Sequence, residues 1–265
     1  MQTDMSKEKT KEQVLLHKNK TIEILDDFLT ELADIHPKKT DLISYWLHTY
    51  TNYIKFEESF DPKRNKRYER GDIIKVDFGF NIGSEYGGLH YAVVIDNNNN
   101  LSSPVVTVIP LSSTDDKIIS KYNIDIGDEL YLNLRLKILG MTQTIKSEKD
   151  SINQTLSLLD TLLSTVQTGA VVMSKERFEE TQKLIEENKK RIAHLNSKRK
   201  DLSKMLNELN KMKSGSMALV SQIRCISKIR IEDPKTTHGV LNGVKLSPNN
   251  MNKIDSKILE MFTKG

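Results

Sequence analysis

The sequence predicts an α+β chain on three observations: apolar residues at helical spacing over 13–60, short strand-like runs over 70–138, and a long heptad-like stripe over 144–213. In the first region Val14, Ile22, Leu25, Leu29 and Leu32 share a helical face, and Pro37 breaks the run. Leu42, Ile43, Trp46, Leu47, Tyr50 and Ile54 then make a second stripe, in which Trp46 is expected to pack in a core or interface. Lys63, Arg64, Lys66, Arg67 and Arg70 follow as a basic linker. Such a cluster reads either as a solvated connection or as a patch that tracks phosphates, because clustered cations gain affinity by releasing counterions from nucleic acid.

Residues 70–95 hold two apolar strands around a Gly-rich loop that ends in Gly87-Gly88. Alternation places Ile74, Val76 and Phe78 on one face of the first strand and Lys75 and Asp77 on the other. The second strand, Tyr91 to Ile95, is apolar on both faces and should lie deep in a small sheet. His90 stands at the seam, beside glycines that let backbone close tightly around a ligand. A polar turn tract, Asn97 to Asn100, connects strands, and leucines at 130, 132 and 134 predict a further strand.

The region 144–213 changes character. Ile152, Leu156, Leu159, Leu163 and Val166 form one stripe, Gly169 interrupts it, and Ser174 is placed to cap a second helix. That helix carries Phe178, Ile185, Ile192, Leu195, Leu202, Leu206 and Leu209 near heptad positions, weakened by Asn188 and Arg199. Two long helices joined by a short turn predict an antiparallel coiled-coil hairpin. Residues 174–213 hold 12 Lys/Arg against 7 Asp/Glu, which fits a solvated face or an arm for RNA or a partner protein. Further on, alternation over 219–230 sends Leu219, Ile223, Cys225 and Ile229 to the core and Gln222, Arg224, Lys228 and Arg230 to the opposite face. Ser247 and Pro248 predict a C-terminal helix burying Met251, Ile254, Ile258 and Phe262.

Composition narrows the classes. With 37% hydrophobic and 29% charged residues in 265, the chain is lean in core and rich in surface. A single cysteine, Cys225, excludes an internal disulfide and suits a reducing, cytoplasmic setting. No apolar h-region opens the chain and no run approaches a membrane span, so a soluble protein without membrane partners is expected. His17, His36, His48, His194 and His238 lack ligand spacing, so neither a metal site nor a cofactor is expected.

Four segments in order carry a family resemblance. Arg70-Gly71-Asp72 with its strand leads into Gly83-Ser84-Glu85-Tyr86-Gly87-Gly88 and a Val/Ile strand; Ser103-Pro104 precedes a strand ending in Ser112-Ser113. Gln222-Ile223-Arg224-Cys225-Ile226 and the helix after Leu246-Ser247-Pro248 complete the set. This pattern resembles the MazF/PemK family of toxin ribonucleases over roughly 115 residues. The resemblance implies a small half-open, SH3-like β-barrel, here split by the helical hairpin where the family has a short connection. The expected organisation is an N-terminal helical extension with its basic linker (1–68), a first barrel part (69–143), the inserted hairpin (144–214), and the last strands with the C-terminal helix (215–265).

The resemblance also implies metal-independent cleavage of single-stranded RNA, by attack of the ribose 2′-hydroxyl on the adjacent phosphorus. It implies an antitoxin protein and a second copy of the chain as partners. His90 occupies the place normally held by arginine, and Tyr91 that of proline. Histidine exchanges protons near neutrality, so His90 suits the 2′-hydroxyl proton or the departing 5′-oxygen. Ser112 falls at the family's hydroxyl position and Arg224 in its Gln-x-Arg element, which makes His90, Ser112 and Arg224 the catalytic candidates. Glu85, Gly87, Gly88, Ser113, Gln222, Lys228 and Arg230 are the RNA-binding candidates, with Glu85 placed either to orient His90 or to anchor Gly87. A catalytically inactive barrel that binds nucleic acid or a protein through its coiled-coil arm is the alternative, and a barrel serving only as scaffold for coiled-coil assembly is another.

Overall fold

The computed structural model describes residues 9–114, 119–169 and 172–264. They separate into two compact units: one holds the chain up to Phe60 with Gly79–Ser84, the other Asp61–Phe78 and everything from Glu85 on. The first contains α1 (Lys11–Ile35) and α2 (Pro37–Glu57). Thr10 and Gln13 form a reciprocal capping box at the start of α1. Pro37, with no N–H to leave unsatisfied, starts α2 as its first residue. Trp46 packs edge-on against Tyr53 and tilted against Tyr50, yet neither helix buries a single residue, so Trp46 lies in no core.

The second unit is built on an antiparallel sheet. Its strands are β1 (Ile73–Asp77), β2 (Leu89–Val94), β3 (Val105–Ser113), β4 (Ile124–Gly127), β5 (Ser216–Ala218), β6 (Arg224–Ser227) and β7 (Ile231–Asp233), in the order β4-β5-β3-β2-β1-β7. The long β3 serves two partners along one edge: Val105–Val108 pairs with β6, and Leu111–Ser113 pairs with β5. Both sheet faces are covered. Tyr68, Ile74, Val76, Phe78, Val108 and Ile231 pack together on one side. Ile73, Val93, Ile109 and Leu111 pack on the other, against the two long helices and the C-terminal helix.

The long helices α3 (Glu129–Gln167) and α4 (Lys175–Lys211) enter between β4 and β5, which are themselves paired. The insertion therefore leaves and returns at neighbouring strands, where closing a long loop costs little. Ile145 and Ile152 pack with Leu195; Arg191 donates to Ser151 at 2.8 Å and Lys198 pairs with Glu148, so the two helices run antiparallel. Ser174 caps α4 by accepting from the Arg177 N–H, and Gly169, at φ 71°, turns the chain after α3.

Three expectations are corrected. Leu130–Leu134 is helix, not strand: α3 starts at Glu129, and Leu130, Leu134 and Ile138 are buried in its first turns while Leu132 and Leu136 are exposed. Leu130 and Leu134, four apart, satisfy both periods, and the helical one wins because residues four apart share the face toward the sheet. Replacing Leu134, fully buried, with alanine is expected to lower stability by about 2–5 kcal/mol, while Leu132→Ala at 48% exposure costs under about 1 kcal/mol in urea unfolding. Equal effects would restore the strand reading.

The late strand is interrupted as well, by 3-10 turns at Val220–Gln222 and Lys228–Arg230 that reset its alternation. Cys225 is consequently exposed and Ile226 buried, the reverse of the expected facing for Cys225. At the C-terminus α5 (Pro248–Phe262) is capped by Ser247 and buries Met251 and Ile254 as expected. Phe262 is exposed instead, while Ile258 and Met261 pack on the core at the end of the helix.

Candidate functional site

The site forms where β2, the C-terminal half of β3 and the re-entry into β5 meet. A cleft of about 280 Å³ is lined by His90, Tyr91, Ser112, Ser113, Lys211, Lys213 and Ser216 among others. His90 reaches it as the second residue of β2, opposite Val76 of β1. Ser112 and Ser113 reach it from β3, opposite Met217 and Ser216. The last turn of α4 and the residues after it supply the two lysines, so the insertion contributes one wall.

Tyr86 organises the cleft's inner edge, and sequence reasoning passed over it as the variable position of the Gly-rich loop. Its hydroxyl donates to the Leu111 carbonyl at 3.1 Å and lies 3.1 Å from His90 Nδ1, with the two rings 4.4 Å apart. A phenol has one proton, so with that proton on Leu111 the imidazole Nδ1–H must be the donor to Tyr86. Burial pushes the Tyr86 phenol up, and a hydrogen bond from Ser112 offsets part of this. The one signal of Tyr86 in the sequence is a large ring standing directly before two glycines, Gly87 and Gly88. Gly88 has φ +87°, a left-handed backbone that strains any side chain, and a Cβ there would sit in contact with the imidazole, 3.4 Å from His90 Nε2.

Arg224 connects to the same group from β6. Its guanidinium lies 5.4 Å over the Phe78 ring, Phe78 packs edge-on against Tyr86, and Gln222 Oε1 accepts from both Arg224 Nη2 (3.3 Å) and the Tyr86 N–H (3.2 Å). The fold thus joins His90, Gln222 and Arg224 through Tyr86 and Phe78, although 222–224 lies far along the chain, and Ser112 shares the cleft with His90. Ser113 shares the cleft, and Gly87 and Gly88 belong to its loop.

Other candidates stand apart. Lys228 is 1% exposed; its ammonium donates to the Asn100 carbonyl at 3.0 Å and lies over the Tyr68 ring, and burial lowers its pKa. It is a structural cation and is withdrawn from the RNA-binding set. Arg230 Nε donates to the Asp77 carbonyl at 2.7 Å, tying β7 to β1. Glu85 is exposed, and the imidazole contacts Tyr86 instead. In the basic linker, Lys66 pairs with buried Asp72 at 2.8 Å, Arg67 donates to Asn98 and Arg70 pairs with Asp255, so these three cations are engaged within the fold.

Behind the cleft, Tyr91 donates to Glu208 of α4 at 2.6 Å, and Lys75 pairs with the same carboxylate. Burial, reinforced by Glu208, raises the Tyr91 phenol well above its ordinary value. This clamp fixes the end of α4, and with it Lys211 and Lys213, against β1 and β2.

The comparison with protein families bears out the resemblance. Residues 69–160 match the family described as PemK-like, MazF-like toxin of type II toxin-antitoxin system. The matched span includes the Gly-rich loop, β1 to β4 and most of α3; Gln222, Arg224 and α5 lie beyond it. A comparison with curated proteins gave no match. Among the described residues, no helix is long and apolar enough to cross a membrane.

Proposed function

We propose that this chain, whose residues 69–160 match the PemK-like, MazF-like toxin family, is a toxin-type endoribonuclease that cleaves single-stranded RNA without a metal ion. The observation that carries the reading is the linkage of His90 and Arg224 through Tyr86 and Gln222 beside an open cleft that His90 and Ser112 line. With Nδ1–H donated to the phenol, His90 Nε2 is the nitrogen that takes the 2′-hydroxyl proton. The freed oxygen attacks phosphorus, the bond to the 5′-oxygen breaks, and that oxygen takes a proton from water and leaves as a hydroxyl, while His90 returns its proton to solvent. Ser112 donates to a phosphate oxygen as charge builds there, and Arg224, held by Gln222, compensates the dianionic transition state. Products are a 2′,3′-cyclic phosphate and a 5′-hydroxyl.

In this reading the strands form a half-open SH3-like barrel, and α3 with α4 is its coiled-coil insertion. Gly87, Gly88, Ser113 and Gln222 bound the RNA path. The family supports an antitoxin and a second copy as partners, acting in the cytoplasm. Purified protein is expected to cut single-stranded RNA in EDTA and to leave cyclic phosphate ends, resolved by end-labelling and acid opening of the cycle. Intact RNA across varied substrate sequences, with tight RNA or protein binding retained, would replace the enzyme by the inactive binding module.

A further inference from the structure

The first unit carries an apolar surface that its own two helices do not cover. Neither α1 nor α2 has a buried residue, and Ile22, Ile24, Phe28, Leu42, Tyr50 and Ile54 are each about half exposed. On a helical projection the apolar residues of α1 span roughly half its circumference, wider than packing on one neighbour uses. Leu25, Leu29 and Leu32 lie in the centre of this arc and are partly covered. Ile24, Phe28 and Ile35 form its exposed flank.

The charges of α1 say what covers this flank. Its first ten residues hold Lys11, Lys18 and Lys20 with only Glu12, whereas its remainder holds Glu23, Asp26, Asp27, Glu31 and Asp34 and no cation. Cations at the N-terminal half and carboxylates at the C-terminal end both oppose the helix's own dipole, so the pattern does not serve the isolated helix. None of these five carboxylates enters an ion pair among the described residues. Such a segregated helix is complementary to an antiparallel copy of itself.

We propose that a second copy of this chain covers the face, the two α1 helices lying antiparallel about a two-fold axis between Leu25 and Asp26 and forming with the α2 helices a four-helix bundle. Lys20 and Glu31 sit eleven residues apart, about three full turns, on the same border of the exposed flank. The two-fold sets Lys20 of each copy against Glu31 of its partner and stacks Ile24 and Phe28 across the axis. An isologous contact makes every such pair twice. The inference rests on these helices alone, not on the ribonuclease reading.

The test is sedimentation of the full chain over a concentration series, with RNA cleavage assayed separately so that the two readings fail independently. Lys20→Glu and Glu31→Lys, each placing like charges together twice, are expected to weaken association about tenfold, and the double swap to restore it to within about twofold of wild type. Ile24→Glu with Phe28→Glu, both exposed within the unit, is expected to lower the assembly by one step with helicity unchanged by circular dichroism. If the barrels pair as well, that step is from a larger assembly to a dimer. A wild-type chain that is monomeric throughout, double-Glu protein that sediments like wild type, or a charge swap without rescue would each overturn the proposal and give the face to another occupant.

Discussion

His90→Ala is expected to lower RNA cleavage by about 10²- to 10⁴-fold, the span that removing a positioned general acid–base group costs. The fold should survive the change, because His90 is half-buried at the mouth of the cleft and its neighbours Ala92, Val93 and Val94 carry the packing of β2. His90→Asn, polar and of similar reach but unable to exchange a proton at neutral pH, is expected to lose as much. Tyr86→Phe keeps the ring on His90 and Phe78 but removes the acceptor that fixes the imidazole. Its loss should therefore be smaller and appear in kcat more than in KM. Single-turnover cleavage of one labelled RNA reads all three variants. Activity of His90→Ala within threefold of wild type would remove the imidazole from the mechanism.

Glu208→Ala is expected to destabilise the second unit by about 3 kcal/mol at neutral pH, since removing one partner of a mostly buried pair strands the other. Lys75 and the Tyr91 hydroxyl both depend on this carboxylate, and the side chains of Lys75 and Glu208 are only 21% and 16% exposed. Burial by itself would raise the Glu208 pKa; the hydrogen bonds from Lys75 and Tyr91, with the charges of Lys75 and Lys211, outweigh it and hold the carboxyl below its ordinary value. A carboxyl lowered by folding stabilises the fold fully above the unfolded value of ~4.3 and loses that contribution as pH falls through its lower folded value. The gap between wild type and Glu208→Ala should thus be full at pH 7 and narrow in acid. Urea midpoints at several pH values measure it; a gap independent of pH would show that the clamp does not act as a charge pair. Loosening α4 also displaces Lys211 and Lys213 from the cleft wall, so RNA affinity is expected to fall with stability.

Much of this architecture is legible in order along the chain. The strands around the Gly-rich loop, the break at Pro37, the caps at Ser174 and Ser247 and the turn at Gly169 each depend on neighbours within a few residues, and each stands where local chemistry puts it. Leu130 and Leu134 fit a strand with Leu132 and a helix without it, and only the sheet beneath α3 selects the helix. The facing of Cys225 and Lys228 failed because alternation assumes an unbroken strand, and single 3-10 turns shift it without any Gly or Pro to announce them. At the site, His90, Ser112 and Arg224 were visible as residue types in a family pattern, while Tyr86, which connects them, had no motif of its own.

By itself the sequence determined the break at Pro37, the caps at Ser174 and Ser247, the Gly-rich seam that holds His90, and the opposed charges along α1. Those depend on dihedral preference, periodicity and composition, which act over a few residues. Only the tertiary structure decided which cations serve the interior and which face the cleft. Lys228 and Lys211 look alike in the sequence, yet one is enclosed against Asn100 and Tyr68 and the other lines the opening. A cation's role is set by the acceptors that distant segments bring to it, and burial belongs to the assembled fold rather than to the residue.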